Sequence, residues 1–234
     1  MRSISTVTAA LLACLTVGTV VAGCADGTTT EKKLSAKQML DNANKAMKAL
    51  KSVTIDTNTV VTDGDDSSAH VTTNLKDRCA SKTTWTTGAR LEQIRIGGTD
   101  YLHGNRAYLE RWSGQDTPAP KDQKHWVKAP VSEAEEGSGI PKCTWDFASF
   151  GAATKGTPAK INGIPAIALV VTYEADKGGS YTFHIATGGK PYILKVVYKG
   201  ADYHNTTSFS AFDKPMDVRP PAKTDILDAS STSH

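Results

Sequence analysis

Beyond its first two dozen residues the sequence has no apolar run long enough to cross a bilayer. It has no GxSxG elbow, P-loop, dinucleotide-binding fingerprint or HExxH pair. Those gaps remove the signatures that nominate a hydrolase, a nucleotide-dependent enzyme or a zinc protease. Six histidines are scattered, and no two share a metal-ligand spacing on one element. Charge of one sign is missing as well. The 27 Lys and Arg nearly balance the 24 Asp and Glu, leaving a net charge of +3, too mild for the basic patch that marks a nucleic-acid binder. Glu133, Glu135 and Glu136 stand in an acidic loop with no apolar setting to raise a carboxyl pKa, so they read as a solvated loop and not as an acid–base pair. The chain is read as a non-enzyme with no cofactor and no metal.

What is present begins at the N-terminus. Arg2 precedes an apolar stretch from Ile4 to Val21, and Val21-Ala22-Gly23-Cys24 closes it. A cation, an apolar core and small residues before a cut describe a secretory signal peptide. The cysteine directly after Ala-Gly resembles a bacterial lipobox, in which Cys24 receives a diacylglyceryl group and becomes the mature N-terminus. The alternative is an ordinary signal cut after Ala22, with Cys24 a bystander. The division expected is 1–23 signal, 24–34 tether, 35–213 folded domain and 214–234 tail. The tether, small and polar, reaches about 30 Å when fully extended.

Four cysteines are few, and each finds a role. Cys14 leaves with the signal and Cys24 takes the lipid. Cys79 and Cys143 remain as an even pair in an oxidising compartment, which predicts a disulfide. Metal binding is the competing reading, but there is no CxxC and no histidine nearby.

The folded part opens with a predicted helix. Ser35 and Gln38 form a capping-box pattern, and Ala36, Met39, Leu40, Ala43, Ala46, Met47 and Leu50 recur on one face. From Ser52 the period becomes two. Strands are expected at Val53–Thr62, Ala69–Leu75, Thr83–Thr87, Arg90–Ile96, Thr99–His103 and Arg106–Trp112, then a polar loop, a short extended piece at Trp126–Pro130 and a short helix at Thr144–Ala153. The last third supplies Thr157–Ile161, Ile164–Tyr173, Ser180–Thr187, Pro191–Lys199 and Tyr203–Phe212, with Asn162-Gly163 as a tight turn. Asn205-Thr206-Thr207 matches a glycosylation acceptor, a pattern without that meaning in a bacterium.

Several segments carry a family resemblance: Ile96-Gly97-Gly98-Thr99-Asp100-Tyr101-Leu102, Trp126-Val127-Lys128-Ala129-Pro130, Asn162-Gly163-Ile164-Pro165-Ala166, and the hairpin from Tyr181 through Gly188-Gly189-Lys190-Pro191 to Val197. With the lipobox and the order of elements, the chain resembles the LolA/LolB-like superfamily, in particular mycobacterial lipoproteins of the LppX and LprG type and their actinobacterial relatives. The resemblance implies an α+β fold, a curved antiparallel sheet forming a half-open barrel with helices over its concave face. It also implies a cavity able to admit acyl chains. Candidate lining residues are Ile55, Val61, Ile167, Leu169, Val171, Phe183, Ile185, Leu194 and Val196. Which strand faces point inward is open, and so is the choice between an open cavity and a concavity filled by the helix.

Two functions follow from different classes. One is a lipid-anchored carrier or binding protein for lipids or other amphiphiles at the outer face of the cytoplasmic membrane. The other is an envelope sensor or regulatory module that binds a protein partner. If Cys24 carries the anchor, Cys24→Ala moves the exported protein from the detergent phase to the aqueous phase on partitioning, because at least two acyl chains are lost with it. A variant that stays in the detergent phase refutes the anchor.

Overall fold

The computed structural model describes residues 34–112, 124–131, 140–149, 151–176 and 178–228. The signal segment, Cys24, nearly all of the tether and the acidic loop at Glu133–Gly137 lie outside the described residues.

Helix α1 spans Ala36–Lys48. Its start is fixed by the capping box read from the sequence: Gln38 N donates to Ser35 Oγ (3.2 Å), and Ser35 N donates to Gln38 Oε1 (2.9 Å). Its exposed side carries a Lys37–Asp41 pair one turn apart (2.7 Å). Ala36, Leu40, Ala43 and Met47 are buried on the other side.

Twelve strands form one sheet. They are β1 (Val53–Val61), β2 (Ser67–Thr73), β3 (Arg78–Trp85), β4 (Arg90–Ile96), β5 (Thr99–Gly104), β6 (Trp126–Pro130), β7 (Ala152–Ile161), β8 (Ile164–Thr172), β9 (Ser180–Ala186), β10 (Ile193–Lys199), β11 (Tyr203–Ser210) and β12 (Ile226–Asp228). Their order is β12-β6-β5-β4-β3-β2-β1-β11-β10-β9-β8-β7. Neighbours are antiparallel, apart from the parallel pair β12–β6. The two meanders therefore meet where β1 pairs with β11, Thr54 opposite Ser210 through Val61 opposite Tyr203.

The sheet is open and strongly curved. One hydrophobic cluster joins Leu40, Ala43 and Met47 of α1 to residues on seven neighbouring strands, from Cys79 on β3 to Leu169 on β8. Laid flat, seven strands span about 29 Å, whereas a helix with its side chains is only about 10 Å wide. A single core shared by all seven strands and α1 requires the sheet to curve around it. This is the α+β fold expected, a curved antiparallel sheet forming a half-open barrel.

Asn162 and Gly163 make the β7–β8 turn with φ of 50° and 83°, the left-handed pair that a two-residue hairpin needs. Bulges interrupt β7 between Lys155 and Pro158, and β10 between Ile193 and Lys195.

Besides β3 and β7, which each begin five residues before the strands expected at Thr83 and Thr157, the structure departs from the sequence expectations at three places. Arg106–Trp112 is helix α2, not a strand. Asn105 Oδ1 accepts from Tyr108 N (3.0 Å) as an N-cap, Arg106 pairs with Glu110 one turn on, and Tyr108 stacks on Trp112 with ring centroids 4.3 Å apart. Gly104 allows this packing, since a Cβ there would lie 2.5 Å from the Tyr108 ring. Secondly, Thr144–Ala153 is not a helix. Residues 144–149 run without regular structure and Ala152 already begins β7. Trp145 and Phe147 both meet the Phe209 ring, the two-residue spacing of an extended chain. Thirdly, the segment after Phe212 stays with the domain: Val218 is buried, and β12 adds to β6.

The far half of the sheet is tied by Asp65, in the β1–β2 connection. It accepts from the Thr86 hydroxyl (2.6 Å), from Thr87 through both backbone (3.0 Å) and hydroxyl (2.7 Å), and from Arg111 of α2. Burial alone would raise its pKa, but these hydrogen bonds outweigh it and hold the carboxyl down, from 3.8 to about 2. The native pKa lies below the unfolded one, so the stabilisation is complete above about pH 4 and disappears as pH falls towards 2. We expect Asp65→Asn to lower the urea midpoint at pH 7 and to flatten its fall between pH 4 and 2. Parallel pH profiles for variant and parent overturn the assignment.

Candidate functional site

The inner face of the sheet is wider than the helix that lies on it. Around Ile55, Leu169 and Ile185, α1 packs directly and the concavity is solid core. Two residues further along each strand, the helix no longer covers the wall. There a pocket of about 310 Å³ opens, within the size range of ligand sites. Its floor is formed by Thr57 of β1, Phe183 of β9, Val196 of β10, and Thr207 and Phe209 of β11. A strap at residues 145–148 forms one side and Asn44 of α1 another. A smaller cavity of about 170 Å³ adjoins it, sharing Ala148, Tyr181 and Phe183 and reaching Val171 and Tyr173.

The strap is held at both ends. Cys143 forms the expected disulfide with Cys79, with Cα atoms 5.3 Å apart. Its carbonyl also accepts from the buried Thr73 hydroxyl. At the other end, Asn44 Nδ2 donates to Ser149 Oγ (2.6 Å). Between these anchors Phe147 is buried against Phe209, while Trp145 meets the same ring edge-on at 5.8 Å and stays partly exposed.

Six of the fourteen residues that line the pocket are aromatic. Tyr181 packs against Tyr198 with ring centroids 4.6 Å apart and planes tilted by 42°, and Tyr198 continues to Tyr203 at 4.8 Å. The Tyr198 hydroxyl donates to Asp176 (3.1 Å). Burial first, then that carboxylate, pushes the Tyr198 phenol up to about 12, and burial and Asp176 raise Tyr181 as well. Both stay protonated at neutral pH. The polar strip is short: Thr207 Oγ1 donates to Asn205 Oδ1 (2.9 Å), and Asn205 Nδ2 donates to Thr59 Oγ1 (2.8 Å). Among the described residues there is no group of three or more metal-ligating side chains.

The nine residues expected to line a cavity sort by place. Phe183 and Val196 line the pocket, and Val171 lines the adjoining cavity. Ile55, Leu169 and Ile185 are solid core under α1, with Ile167 packed beside them. Leu194 faces away, in a separate cluster with Ala166 and Ala186. The β10 bulge explains this: Ile193 pairs with Ile185 and Val196 with Phe183, so Leu194 is the extra residue that flips the parity. Val61 sits at the end of β1, opposite Tyr203, and lines none of these cavities. Sequence reasoning missed the strap residues Trp145 and Phe147 and the polar strip. Tyr181 and Tyr198 share the alternation of Phe183 and Val196, and that signal could have found them.

No protein-family model matches the sequence, and no curated protein matches it significantly. Solved structures do. The chain is similar to LprF from Mycobacterium bovis (TM-score 0.55, 15% identity, covering 80% of this chain and 97% of that one). It is also similar to the lipoprotein LppX from Mycobacterium tuberculosis (0.48, 17%, 77% and 96%) and to a LolA superfamily protein from Nitrosomonas europaea (0.29, 10%, 79% and 95%). The first superposes closely enough to establish a shared fold, and at these identities the likeness is one of fold.

The disulfide closes a separation of 64 residues, for which loop entropy gives about 4 kcal/mol. We expect Cys79→Ser with Cys143→Ser to lower stability by several kcal/mol. Trp145 should also become more accessible to acrylamide quenching before global unfolding. An unchanged unfolding midpoint refutes the strap as a structural member.

Proposed function

We propose that this protein is an exported carrier or binding protein for lipids or other amphiphiles, held through Cys24 to the outer face of the cytoplasmic membrane. The observation that carries the reading is the 310 Å³ pocket, rich in aromatic rings, on the inner face of the half-open barrel beside α1. The fold shared with a mycobacterial Lpr-type protein supports it.

The function so read is burial, not catalysis. Each methylene taken from water into such a site contributes about 0.8 kcal/mol, so a chain of modest length outweighs the few polar contacts available. The two cavities adjoin along Tyr181 and Phe183, which gives an extended guest more room than the larger one alone. The anchor would keep the carrier at its donor membrane, and the tether would set how far it reaches.

The test is the lipid content of the purified protein. Organic extraction and mass spectrometry should find non-covalent lipid near one molecule per chain. Val196→Trp should displace most of it by filling the pocket, while the circular dichroism spectrum stays unchanged. Equal lipid in parent and variant refutes this pocket as the site. No lipid in either refutes the carrier and leaves the envelope-partner reading in its place.

A further inference from the structure

The floor of the two cavities consists of two rows of side chains that run across the strands. Pairing puts Thr57 of β1 opposite Thr207 of β11, Thr207 opposite Val196 of β10, and Val196 opposite Phe183 of β9. Two residues further along each strand, Asn205, Tyr198, Tyr181 and Val171 of β8 form the second row in the same way. On β8 the first row ends at Leu169, which is solid core, so the floor passes to Val171. Four strand spacings separate β1 from β8, which makes the track about 19 Å long. Its two rows are about 7 Å apart, room for one alkyl chain side by side with nothing else. Ala148, Tyr181 and Phe183 line both cavities and so join them end to end.

Volume and length agree on the capacity. If a methylene takes roughly the 30 Å³ share of a water molecule, cavities of about 310 and about 170 Å³ hold about sixteen carbons. An extended chain advances roughly 1.3 Å per carbon, so about the same number spans the track. Past Tyr173 the next hollow is lined by glycines, Thr172, Glu174, Asp176 and Ser180, and a methylene there gains little by burial. We propose that this pocket takes an amphiphile with a single alkyl chain of about sixteen carbons, and this inference rests on the carrier reading above. The head stays at the β1–β11 end, beside the polar strip of Asn205 and Thr207. The chain crosses Val196 and Phe183, and its tail ends against Val171. A diacyl lipid would need a second apolar track, and the core at Ile55, Leu169 and Ile185 fills the wall where one would lie.

Titration of the purified protein, stripped of bound lipid, with lysophosphatidylcholines measures the track. Their single acyl chain is lengthened from ten to twenty carbons, each probe below its micellar concentration. Affinity should rise about fourfold per methylene up to about sixteen carbons and then level off. Ala148 is half-buried on the irregular strap, so Ala148→Phe leaves the sheet intact and closes the junction. That variant should stop the rise at about ten carbons, the capacity of the larger cavity, with the ten-carbon affinity unchanged. A parent series that stops near ten or still climbs at twenty overturns the single track while the carrier stands. So does an equal plateau in parent and variant, or a diacyl lipid as the species that co-purifies at one per chain. Failure of every chain length to bind overturns the carrier with it.

Discussion

The constraint on which this structure depends is a mismatch of widths. The inner wall of the sheet is apolar over more ground than α1 can cover. The seven strands that share the core with α1 span about 29 Å laid flat, while α1 with its side chains is about 10 Å wide. An apolar wall left bare costs free energy in proportion to its area, so something else must lie over it. Here that is the strap at residues 144–149. A short irregular strap cannot hold itself in place by backbone hydrogen bonds, and so it is fastened by the Cys79–Cys143 bond and by Asn44 to Ser149. The pocket is the space left between helix, strap and wall.

The position of the pocket follows from a division in the sheet. On β3 to β5 the buried inward residues are largely polar. Asp100 receives Arg95 through two hydrogen bonds (2.7 and 2.6 Å) and Gln93 through another (2.9 Å), and Ser81 donates to Gln93 (3.1 Å). A buried ion pair so fully bonded is closed, with no capacity left for a guest. On β8 to β10 the inward residues are aromatic or aliphatic, and on β11 Asn205 and Thr207 add a short polar strip beside Phe209. Hydrophobic matter therefore has one side of the barrel to enter and the fixed network lies on the other.

How much of this was legible depended on the range of the interaction involved. Alternation is local, so most strands were found with small errors at their ends. The capping box of Ser35 and Gln38 is local too, and α1 begins where it says. The errors were of two kinds. In α2 the apolar residues Ala107, Tyr108, Leu109 and Trp112 fit either period, and the deciding contacts come from Asn105, whose side chain also binds Arg90 N and the Gly88 carbonyl. The strap and β12 take their conformation from partners far away in the chain: Cys79, Thr73 and Phe209 for the one, β6 for the other. The face of Leu194, expected inward and found outward, belongs to neither kind. A single inserted residue inverts everything before it on the strand, and nothing in Tyr192-Ile193-Leu194-Lys195 marks which residue is the extra one.

The pocket is for the same reason a property of the whole fold. Its wall draws on α1, β1, the strap, β9, β10 and β11, and residues as far apart as Asn44 and Phe209 share it. No hairpin contains it. It comes into being only when β1 pairs with β11 and joins the two meanders, since Thr57 and Thr207 are opposite one another in that pairing. A binding wall assembled this way is stiff across the strands, where hydrogen bonds fix the register. Along the strap it is held by side chains alone. If the pocket takes a guest as proposed, the movement that admits it is least costly at the strap, between its covalent anchor at Cys143 and the Asn44–Ser149 hydrogen bond. The disulfide confines that movement to one end, so the roof can shift without the barrel opening.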